Sequence, residues 1–526
     1  MTNIKDYIRE IMTNSKIKAY YKSELICKCV CKHISKNHAL FKSDTNYYIF
    51  DKEKSICIGL DYKNTGFKVF IYKNYGINPA ELLFLSVFEA IKIYCEINGE
   101  KKQIFKLSYL NKVTNTLYLK NGYGVMKITP STIEYCSNGT DDVLFTDEVD
   151  VANFDYIPNC SAESLNKYLL DLPNYSSTAY LEPQDLKLLV EIYIFGILMP
   201  SLLRTKPIIS TVGVKGSGKT SLLRMIGKLI HGEDYEVTSM TNKMDDLDTI
   251  AANKHLLFID NMDTFNEAIN DKLASYVTGV LNEKRSLYSN GDVYKKRVDV
   301  FIGISTRNPV YKRDDVAQRV IIIYLDPIRE YNTEESIIDP LLKHRDEILS
   351  YMIDKIRGVL EIHKSQKYAN YKSSFRMADF ARFAAMYLDN RDKAENLLAK
   401  TSQTQKALVV EGDILLRYLT LFVMHNLNLD KNGEVCFMNA KDVFDILNAL
   451  SDLDSTKKCS VNEFKGRYKD SIALGKRLHN IADEIREFID IRICNKKGRS
   501  STYAFIPADR FNEWAEPLKD FNFGTL

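Results

Sequence analysis

Apolar residues recur along the chain at two different spacings, and the changes between them divide the sequence into four stretches. Residues 1–170 contain several strand-like runs and predict an α+β domain. From 171 to 330, strand-like and helix-like runs alternate, which predicts a parallel α/β sheet. Residues 331–430 have helical spacing throughout, and residues 431–526 combine helices with one terminal hairpin. The pattern therefore predicts a multidomain α/β protein.

A β-meander is the clearest pattern in the first stretch. Its strands are predicted at 116–119, 125–128, 132–135 and 143–145. The steps Asn121-Gly122 and Asn138-Gly139 predict hairpin turns, because Asn-Gly favours the positive φ angles that such turns need.

Two apolar patterns predict buried helices in the second and third stretches. The run from 192 to 203 is too short to cross a bilayer and contains Pro200, so it predicts a core helix. Farther along, one helix face is predicted to be formed by Ile348, Leu349, Met352, Ile353 and Ile356.

Residues 213–220 read GVKGSGKT, the complete pattern of a Walker A phosphate loop. A β-branched run at 207–212 precedes it and a helix-like segment at 221–230 follows. A strand, a glycine turn and a helix N-terminus form an anion cradle, because backbone N–H groups converge on the phosphates. The residues predicted to bind the nucleotide are Gly213, Val214, Lys215, Gly216, Ser217, Gly218, Lys219 and Thr220. Lys219 is predicted to reach the β- and γ-phosphates and Thr220 to ligate Mg²⁺.

A second apolar run, 255–260, ends in Asp260 and has the pattern of a Walker B strand. The terminal carboxylate of such a strand holds Mg²⁺, so Asp260 is the second predicted metal residue. The residue that would act on the attacking water stays open. Asn261 stands where a second acid is usual and could orient the water, whereas Asp263 could serve as the base.

A third buried-type run, 298–309, ends in polar residues, and another strand follows at 320–325. With the two nucleotide motifs, this order resembles the AAA+ ATPases. More narrowly, it is similar to the replicative initiator-helicases of phages and staphylococcal genomic islands, which are minichromosome-maintenance-like and superfamily 3-like. The resemblance covers residues 180–390 with specific motifs. It implies an AAA+ P-loop NTPase core, a helical lid over 331–430, and ATP with Mg²⁺ as cofactors.

The resemblance also assigns roles beyond the phosphate loop. Asn308, at a strand end, matches the sensor that contacts the γ-phosphate. Arg313 matches the arginine finger that acts on the ATP of a neighbouring subunit, and Arg319 is the alternative finger. Arg376 matches a second sensor arginine. A finger that acts on a neighbour implies a homo-oligomeric ring, and a hexamer is expected.

Between the Walker B strand and the first sensor, a hairpin is predicted around Asn290-Gly291. In the helicases that the chain resembles, a hairpin at this position contacts DNA. The candidate contacts are Tyr288, Tyr294, Lys295, Lys296 and Arg297. Basic side chains would bind phosphates and tyrosine rings would stack on single-stranded bases. A solvated basic loop is the alternative.

The C-terminal stretch offers a second nucleic-acid element. Helices predicted at 461–468 and 473–479 precede strands at 489–494 and 502–507, and a basic turn joins the strands. This order resembles a winged helix, a module that binds duplex DNA or another protein. The candidate contacts to duplex or origin DNA are Lys496, Lys497 and Arg499.

Composition restricts the possible partners, the role of the cysteines and the expected location of the protein. The net charge of +3 over 526 residues is close to neutral, so affinity for nucleic acid must come from local basic patches. Of the ten cysteines, only Cys27, Cys29 and Cys31 cluster, and their spacing predicts buried thiols instead of a zinc site. The first residues lack the apolar stretch of a secretory signal, so the expected location is the cytoplasm.

These patterns predict an ATP-dependent DNA helicase that works as a ring in the replication of a mobile element. Single-stranded DNA would occupy the channel, and residues 1–170 would form a collar for oligomerisation or DNA. Two alternatives stay open: an AAA+ switch in defence or signalling, and a primase-helicase. Primer synthesis needs clustered carboxylates for two metals, and Asp141-Asp142 has instead the pattern of a turn.

Overall fold

In the computed structural model of this chain, the described residues are 4–44, 46–239, 244–263, 267–279, 281–285, 293–307, 314–412, 414–453, 464, 468–483, 485–486, 488–495, 501–509 and 511–515. Their α-helices are α1 (Ile4–Thr13), α2 (Ala19–Asn37), α3 (Thr65–Tyr75), α4 (Leu82–Asn98), α5 (Glu163–Leu165), α6 (Pro183–Leu198), α7 (Lys219–His231), α8 (Met244–Asn253), α9 (Glu267–Thr278), α10 (Asp314–Ala317), α11 (Glu334–Lys343), α12 (Arg345–Lys364), α13 (Ala378–Leu388), α14 (Arg391–Gly412), α15 (Ile414–Met424), α16 (Ala440–Leu453), α17 (Ser471–Ile481) and α18 (Phe511–Ala515). Their strands are β1 (Ala39–Lys42), β2 (Tyr47–Asp51), β3 (Ile56–Gly59), β4 (Glu100–Lys101), β5 (Ile104–Phe105), β6 (Ser108–Asn111), β7 (Thr116–Asn121), β8 (Gly124–Ile128), β9 (Ile133–Ser137), β10 (Leu144–Phe145), β11 (Ile208–Val212), β12 (Thr238–Ser239), β13 (Leu256–Asp260), β14 (Leu281–Arg285), β15 (Val293–Arg297), β16 (Phe301–Thr306), β17 (Val320–Tyr324), β18 (Met438–Asn439), β19 (Ile489–Cys494) and β20 (Thr502–Pro507).

The N-terminal part packs α1 to α4 with a sheet of strand order β3-β2-β1-β4. Ile26, Val30 and Ile34 recur every four residues on α2, so they share one face, and all three are buried in this core. Cys31 is buried on the same helix as a free thiol.

Three of the four strands predicted for the β-meander are present as β7, β8 and β9, and the fourth strand of this sheet is β6, which the sequence pattern did not predict, in the order β6-β7-β8-β9. The turn at Asn121-Gly122 joins β7 to β8, and Gly122 has the positive φ of 58° that the turn requires. The hairpin predicted after Asn138-Gly139 is wrong, because β10 pairs in parallel with β5 instead of with β9. The reason is local. The Asn138 side chain bonds both the N–H and the C=O of Phe145, each at 2.8 Å, and so takes the place of a ladder.

A parallel sheet with strand order β12-β13-β16-β11-β17 forms the centre of the molecule, as the alternation of strands and helices predicted. All residues of β11 and β16 are buried. Parallel strands covered on both faces are mostly apolar, and these two strands combine apolar residues with the buried polar residues Ser210 and Thr211 in β11 and Ser305 and Thr306 in β16. The strand that ends in Asp260 is therefore separated from the phosphate-loop strand by β16 alone.

One hydrophobic core extends from the meander through the sheet to the helices after it. Its buried members run from Leu107 to Leu398, and they include most of the second half of α6 as well as the face of α12 that begins at Ile348. The buried helix predicted at 192–203 is thus α6 with the short turn after it. The predicted domain limits at 170 and 330 lie within this continuous core, so the four-domain division stays a prediction.

A separate core holds the C-terminal part, from Ile414 to Ala515. It combines α15 to α18 with a sheet of order β18-β20-β19, and β19 and β20 form the predicted hairpin. The helix predicted at 473–479 is α17, whereas the one at 461–468 lies mostly outside the described residues. Across the described part of the chain, none of the helices combines the length and apolarity needed to span a membrane.

Candidate functional site

The phosphate loop occupies residues 213–218, between the end of β11 and the start of α7. Gly216 and Gly218 have φ angles of 81° and 78°, which favour glycine. At Gly213, any side chain would collide with the Leu325 carbonyl oxygen, and at Gly216 with the Tyr331 hydroxyl. The chain after β17 thus lies against the loop, and the Ile328 N–H donates to the Gly216 carbonyl at 3.1 Å. The glycines keep this strand–loop–helix connection tight.

Lys219 is the first residue of α7, and its side chain folds back over the loop. The ammonium donates to the carbonyl oxygens of Gly213 and Val214, at 2.7 and 2.8 Å. Burial lowers the pKa of Lys219, and this exceeds the opposing effect of the Asp263 carboxylate. The cation is therefore held at the mouth of the loop, next to the N-terminus of a helix, where an anion is favoured.

Asp260 is the point at which the two nucleotide motifs meet. Its Oδ1 accepts a hydrogen bond from the Thr220 hydroxyl and another from the Ser305 hydroxyl, both at 2.5 Å. The two predicted metal residues, Thr220 and Asp260, are thus in direct contact although 40 positions separate them. Carboxylate and hydroxyl oxygens are hard donors of the kind that Mg²⁺ takes.

The two candidates for the water-activating role have different environments. Asn261 is exposed, has a φ of 53° and donates its backbone N–H to Ser305 Oγ at 2.9 Å. Asp263 Oδ1 accepts from the Arg307 N–H at 2.7 Å and from the Thr306 hydroxyl at 3.2 Å. The Arg307 guanidinium lies 3.6 Å from Asp263 Oδ2. Asp263 is therefore bound to the end of β16.

Ser305 and Arg307 are site residues to which the sequence pattern assigns no role. The pattern selects Asn308 at this strand end, yet Ser305 joins β16 to Asp260 and Arg307 pairs with Asp263. The only signal in the sequence is the run of polar residues that closes an apolar strand.

The predicted arginines are placed only in part. Arg319 donates to the Ala274 carbonyl on α9 at 3.2 Å. Arg376 is exposed, and its guanidinium donates to Oε1 of Gln318, the residue before Arg319, at 2.7 Å. Asn308 and Arg313 lie outside the described residues.

The hairpin predicted before the sensor strand is present. β14 and β15 pair antiparallel, with Leu281 opposite Arg297 and Arg285 opposite Val293. Tyr294, Lys295 and Lys296 also belong to β15. Tyr288 lies outside the described residues, as do Lys496, Lys497 and Arg499 between β19 and β20.

Comparisons with known proteins point to replication of mobile elements. Residues 167–406 match the family model of the actinomycete integrative conjugative element replication protein. This match covers less than half of the chain but contains the whole site described above. A search of curated proteins gives no match.

Solved structures of one protein region resemble the chain over most of its length. The A-form apo structure of the NrS-1 C-terminal region has a TM-score of 0.41 at 11% identity, covering 91% of this chain and 98% of that chain. Two further apo structures of this region have TM-scores of 0.38 and 0.39, at 11% and 12% identity and with the same coverage.

Proposed function

We propose that this chain is an ATP-driven DNA helicase that acts as a ring in the replication of a mobile element. The observation that carries the proposal is the convergence of Thr220 and Ser305 on Asp260, beside a complete phosphate loop. The family-model match over residues 167–406 supports replication of a mobile element as the process.

ATP and Mg²⁺ fit the residues at this edge of the sheet. A side chain at Gly213 or Gly216 would close the loop, so its main-chain N–H groups would receive the phosphates. Thr220 and Asp260 would hold Mg²⁺, and Lys219 would bind the phosphate oxygens. Bound Mg²⁺ would neutralise the charge that develops on the β- and γ-phosphates.

The contacts of Asp263 favour different roles for Asn261 and Asp263, the two candidates for acting on the attacking water. Its carboxylate is bonded to Thr306 and Arg307, directly before the sensor candidate Asn308. Asp263 would therefore position the sensor segment. Asn261 would orient the attacking water, because it follows Asp260 directly and is exposed.

The hairpin β14–β15 would contact the single-stranded DNA. In the chain it follows the strand that ends in Asp260 and α9, and it precedes the strand that bears Ser305. Lys295, Lys296 and Arg297 would neutralise DNA phosphates, and Tyr288 and Tyr294 would stack on bases.

The arginine-finger assignment requires an oligomer, because the finger acts on the ATP of a neighbouring subunit. Arg313 would complete the site of a neighbouring subunit, with Arg376 as the second sensor, and a hexameric ring would place one hairpin per subunit along the DNA. The C-terminal helices and the β19–β20 hairpin would act as a winged helix, with Lys496, Lys497 and Arg499 binding duplex or origin DNA.

ATP hydrolysis and the unwinding of a forked DNA, measured together, test this proposal. Lys219→Ala should abolish both activities, because the loop loses the cation that binds the phosphates. Lys187→Ala is the control: its ammonium pairs with Asp171 on the surface, and exposed pairs contribute only about 0–1 kcal/mol. Both activities should survive in that variant.

The outcomes separate the proposal from its alternatives. Hydrolysis near the wild-type rate in Lys219→Ala would contradict the phosphate-loop assignment. A wild-type protein that hydrolyses ATP and never unwinds DNA would favour the AAA+ switch. Primer synthesis on a single-stranded template would favour the primase-helicase.

A further inference from the structure

Lys206 lies directly before the strand that carries the phosphate loop. It stands between the turn Pro200–Leu202 and the first residue of β11, Ile208. The residue is 3% exposed. A buried ammonium is costly unless it is paired, so the contacts of Lys206 indicate what this position does.

Lys206 is bonded to the chain on both sides of the β14–β15 hairpin, at the end of α9 and between β15 and β16. The incoming chain leaves α9 through Val277, whose carbonyl accepts the Lys206 N–H at 3.0 Å. The outgoing chain passes through Asp299, between β15 and β16, and its carboxylate forms a salt bridge with the Lys206 ammonium. The main chain of Lys206 thus binds the chain before β14, and its side chain binds the chain after β15.

The salt bridge is supported from two sides. Burial acts to raise the pKa of Asp299, but Lys206, with a smaller contribution from Lys106, lowers it below the ordinary value. The Lys206 ammonium also lies 5.5 Å from the centre of the Phe301 ring, at the start of β16. Lys106 itself is anchored, because its ammonium donates to the carbonyls of Ala252 and Lys254 at 2.6 and 2.8 Å.

The pair also connects the hairpin to the phosphate-loop strand. Ile208, two residues after Lys206, pairs with Ile302 of β16 and with Val320 of β17. Val277 and Asp299, on the two sides of the hairpin, cannot shift relative to β11 unless their contacts with Lys206 shift as well. Lys206 is therefore a second link between the hairpin and β11, in addition to the covalent path through residues 298–300 to β16.

We propose that Lys206, through Asp299 and Val277, is the positioning residue that fixes the hairpin to the ATPase core. Movement of the core on ATP hydrolysis would then be transmitted through the hairpin to DNA. The inference rests on the proposed function, in which the hairpin contacts DNA. The described contacts of Lys206 are with Val277, Asp299 and Phe301, and none of these residues belongs to the phosphate loop. Removal of Lys206 should therefore uncouple ATP hydrolysis from unwinding instead of abolishing hydrolysis.

The test measures base pairs unwound per ATP hydrolysed in Lys206→Met, Asp299→Asn and the double variant. We expect each single variant to lower this ratio by about tenfold, the equivalent of about 1.4 kcal/mol. The double variant should be no worse than Lys206→Met, because residues that act as one unit give non-additive effects. Lys206→Arg should recover most of the ratio, since it keeps the charge.

The matched control is Lys228→Met. Lys228 is also a nearly buried lysine, with 8% of its side chain exposed, and it lies on α7 and pairs at 3.0 Å with the more exposed Glu236. Whatever it does to stability, it should leave the ratio of unwinding to hydrolysis unchanged. A ratio that falls equally in Lys228→Met and Lys206→Met would overturn the inference.

A second measurement keeps this inference separate from the proposed function. Hydrogen–deuterium exchange of residues 281–297 should become about tenfold faster in Lys206→Met than in the wild type or in Lys228→Met, because an anchor has been removed. If the wild type fails to unwind DNA but exchange responds in this way, the proposed function falls and the anchoring role stands. Unchanged exchange together with an unchanged ratio would refute the role of Lys206.

Discussion

At the scale of single residues, His255 shows how one buried side chain limits the pH range over which the parallel sheet is stable. It lies directly before β13 and is 5% exposed. Its Nε2 is 3.1 Å from the Ile197 carbonyl oxygen, which can only accept, so Nε2 carries a proton and donates. Burial lowers the pKa of His255 to about 3, and the neighbouring His231 contributes in the same direction. The folded protein therefore keeps this imidazole neutral where an exposed histidine would be protonated.

We expect the free energy of unfolding to fall as the pH is lowered from about 6.5 towards 3. The unfolded chain binds a proton at His255 in this window and the folded chain does not, so His255 alone lowers stability by about 1.4 kcal/mol per pH unit. Urea denaturation at pH 7 and pH 5 measures the slope. His255→Gln keeps a donor for the Ile197 carbonyl. It should reduce the slope of the free energy of unfolding against pH by about 1.4 kcal/mol per pH unit, the contribution of one proton. An equal slope in both proteins would assign the effect to other groups.

Residue types alone were enough to predict the strand–loop–helix connection at 208–231, because glycines at positive φ and a lysine at a helix start define the local backbone. They were not enough for Ser305. Its hydrogen bond to Asp260 depends on β16 lying next to β13, and strand order in a sheet has no local signal. Arg307 was missed for the same reason, because its partner Asp263 is 44 positions earlier in the chain.

At the scale of elements, the β14–β15 hairpin separates a DNA motor from a switch. Replacing Lys295, Lys296 and Arg297 with Ala should abolish unwinding and leave basal ATP hydrolysis largely intact, because β15 lies outside the strand ends that form the nucleotide site. The log–log salt dependence of single-strand binding should also fall by about 0.7 for each DNA phosphate that the variant no longer neutralises. Fluorescence titration with an oligonucleotide at several salt concentrations measures this slope.

The control for charge is a triple variant elsewhere on the surface. Lys364, Lys367 and Lys372 are exposed on and after α12, and replacing them with Ala removes the same net charge. Unwinding and the salt slope should then stay at wild-type values. Normal unwinding in the hairpin variant would reject the DNA-contact role and favour the switch.

Elements were predicted best where the pattern was local. Four of the five strands of the parallel sheet were recognisable as apolar runs, and the β14–β15 hairpin was recognisable by its Asn-Gly step. The two-residue strand β12 was not predicted. The sequence failed at Asn138-Gly139, which also has the pattern of a hairpin turn. There the Asn138 side chain bonds the main chain of Phe145, and β10 pairs with β5. A turn signal therefore predicts a change of direction but not the strand that will be the partner.

At the scale of the whole molecule, one continuous hydrophobic core packs the meander against the parallel sheet. Arg345 is a clear link between them. Its buried guanidinium donates to the carbonyls of Leu229 and Ile230 at the end of α7, and to those of Ala152 and Asn153 in the segment after the meander. Movement of α7, which begins at the phosphate loop, would therefore reach the N-terminal part directly. The C-terminal core is separate, which suits a module that docks on DNA by itself.

Assembly is the property that residue-level activity alone cannot test, and Arg313 provides the means. If Arg313 acts on the ATP of its neighbour, Arg313→Ala and Lys219→Ala subunits should each be inactive alone. Mixed in equal amounts, they should recover part of the hydrolysis, because about one quarter of the interfaces in a randomly assembled ring pair an intact phosphate loop with an intact finger. Arg319→Ala is the matched comparison: Arg319 donates to Ala274 in its own subunit, so this variant keeps the Arg313 finger and should hydrolyse ATP without mixing. Native mass spectrometry must show that mixed rings form. Recovery with Arg319→Ala instead of Arg313→Ala would transfer the finger to Arg319, and no recovery with either in demonstrably mixed rings would exclude a site shared between subunits.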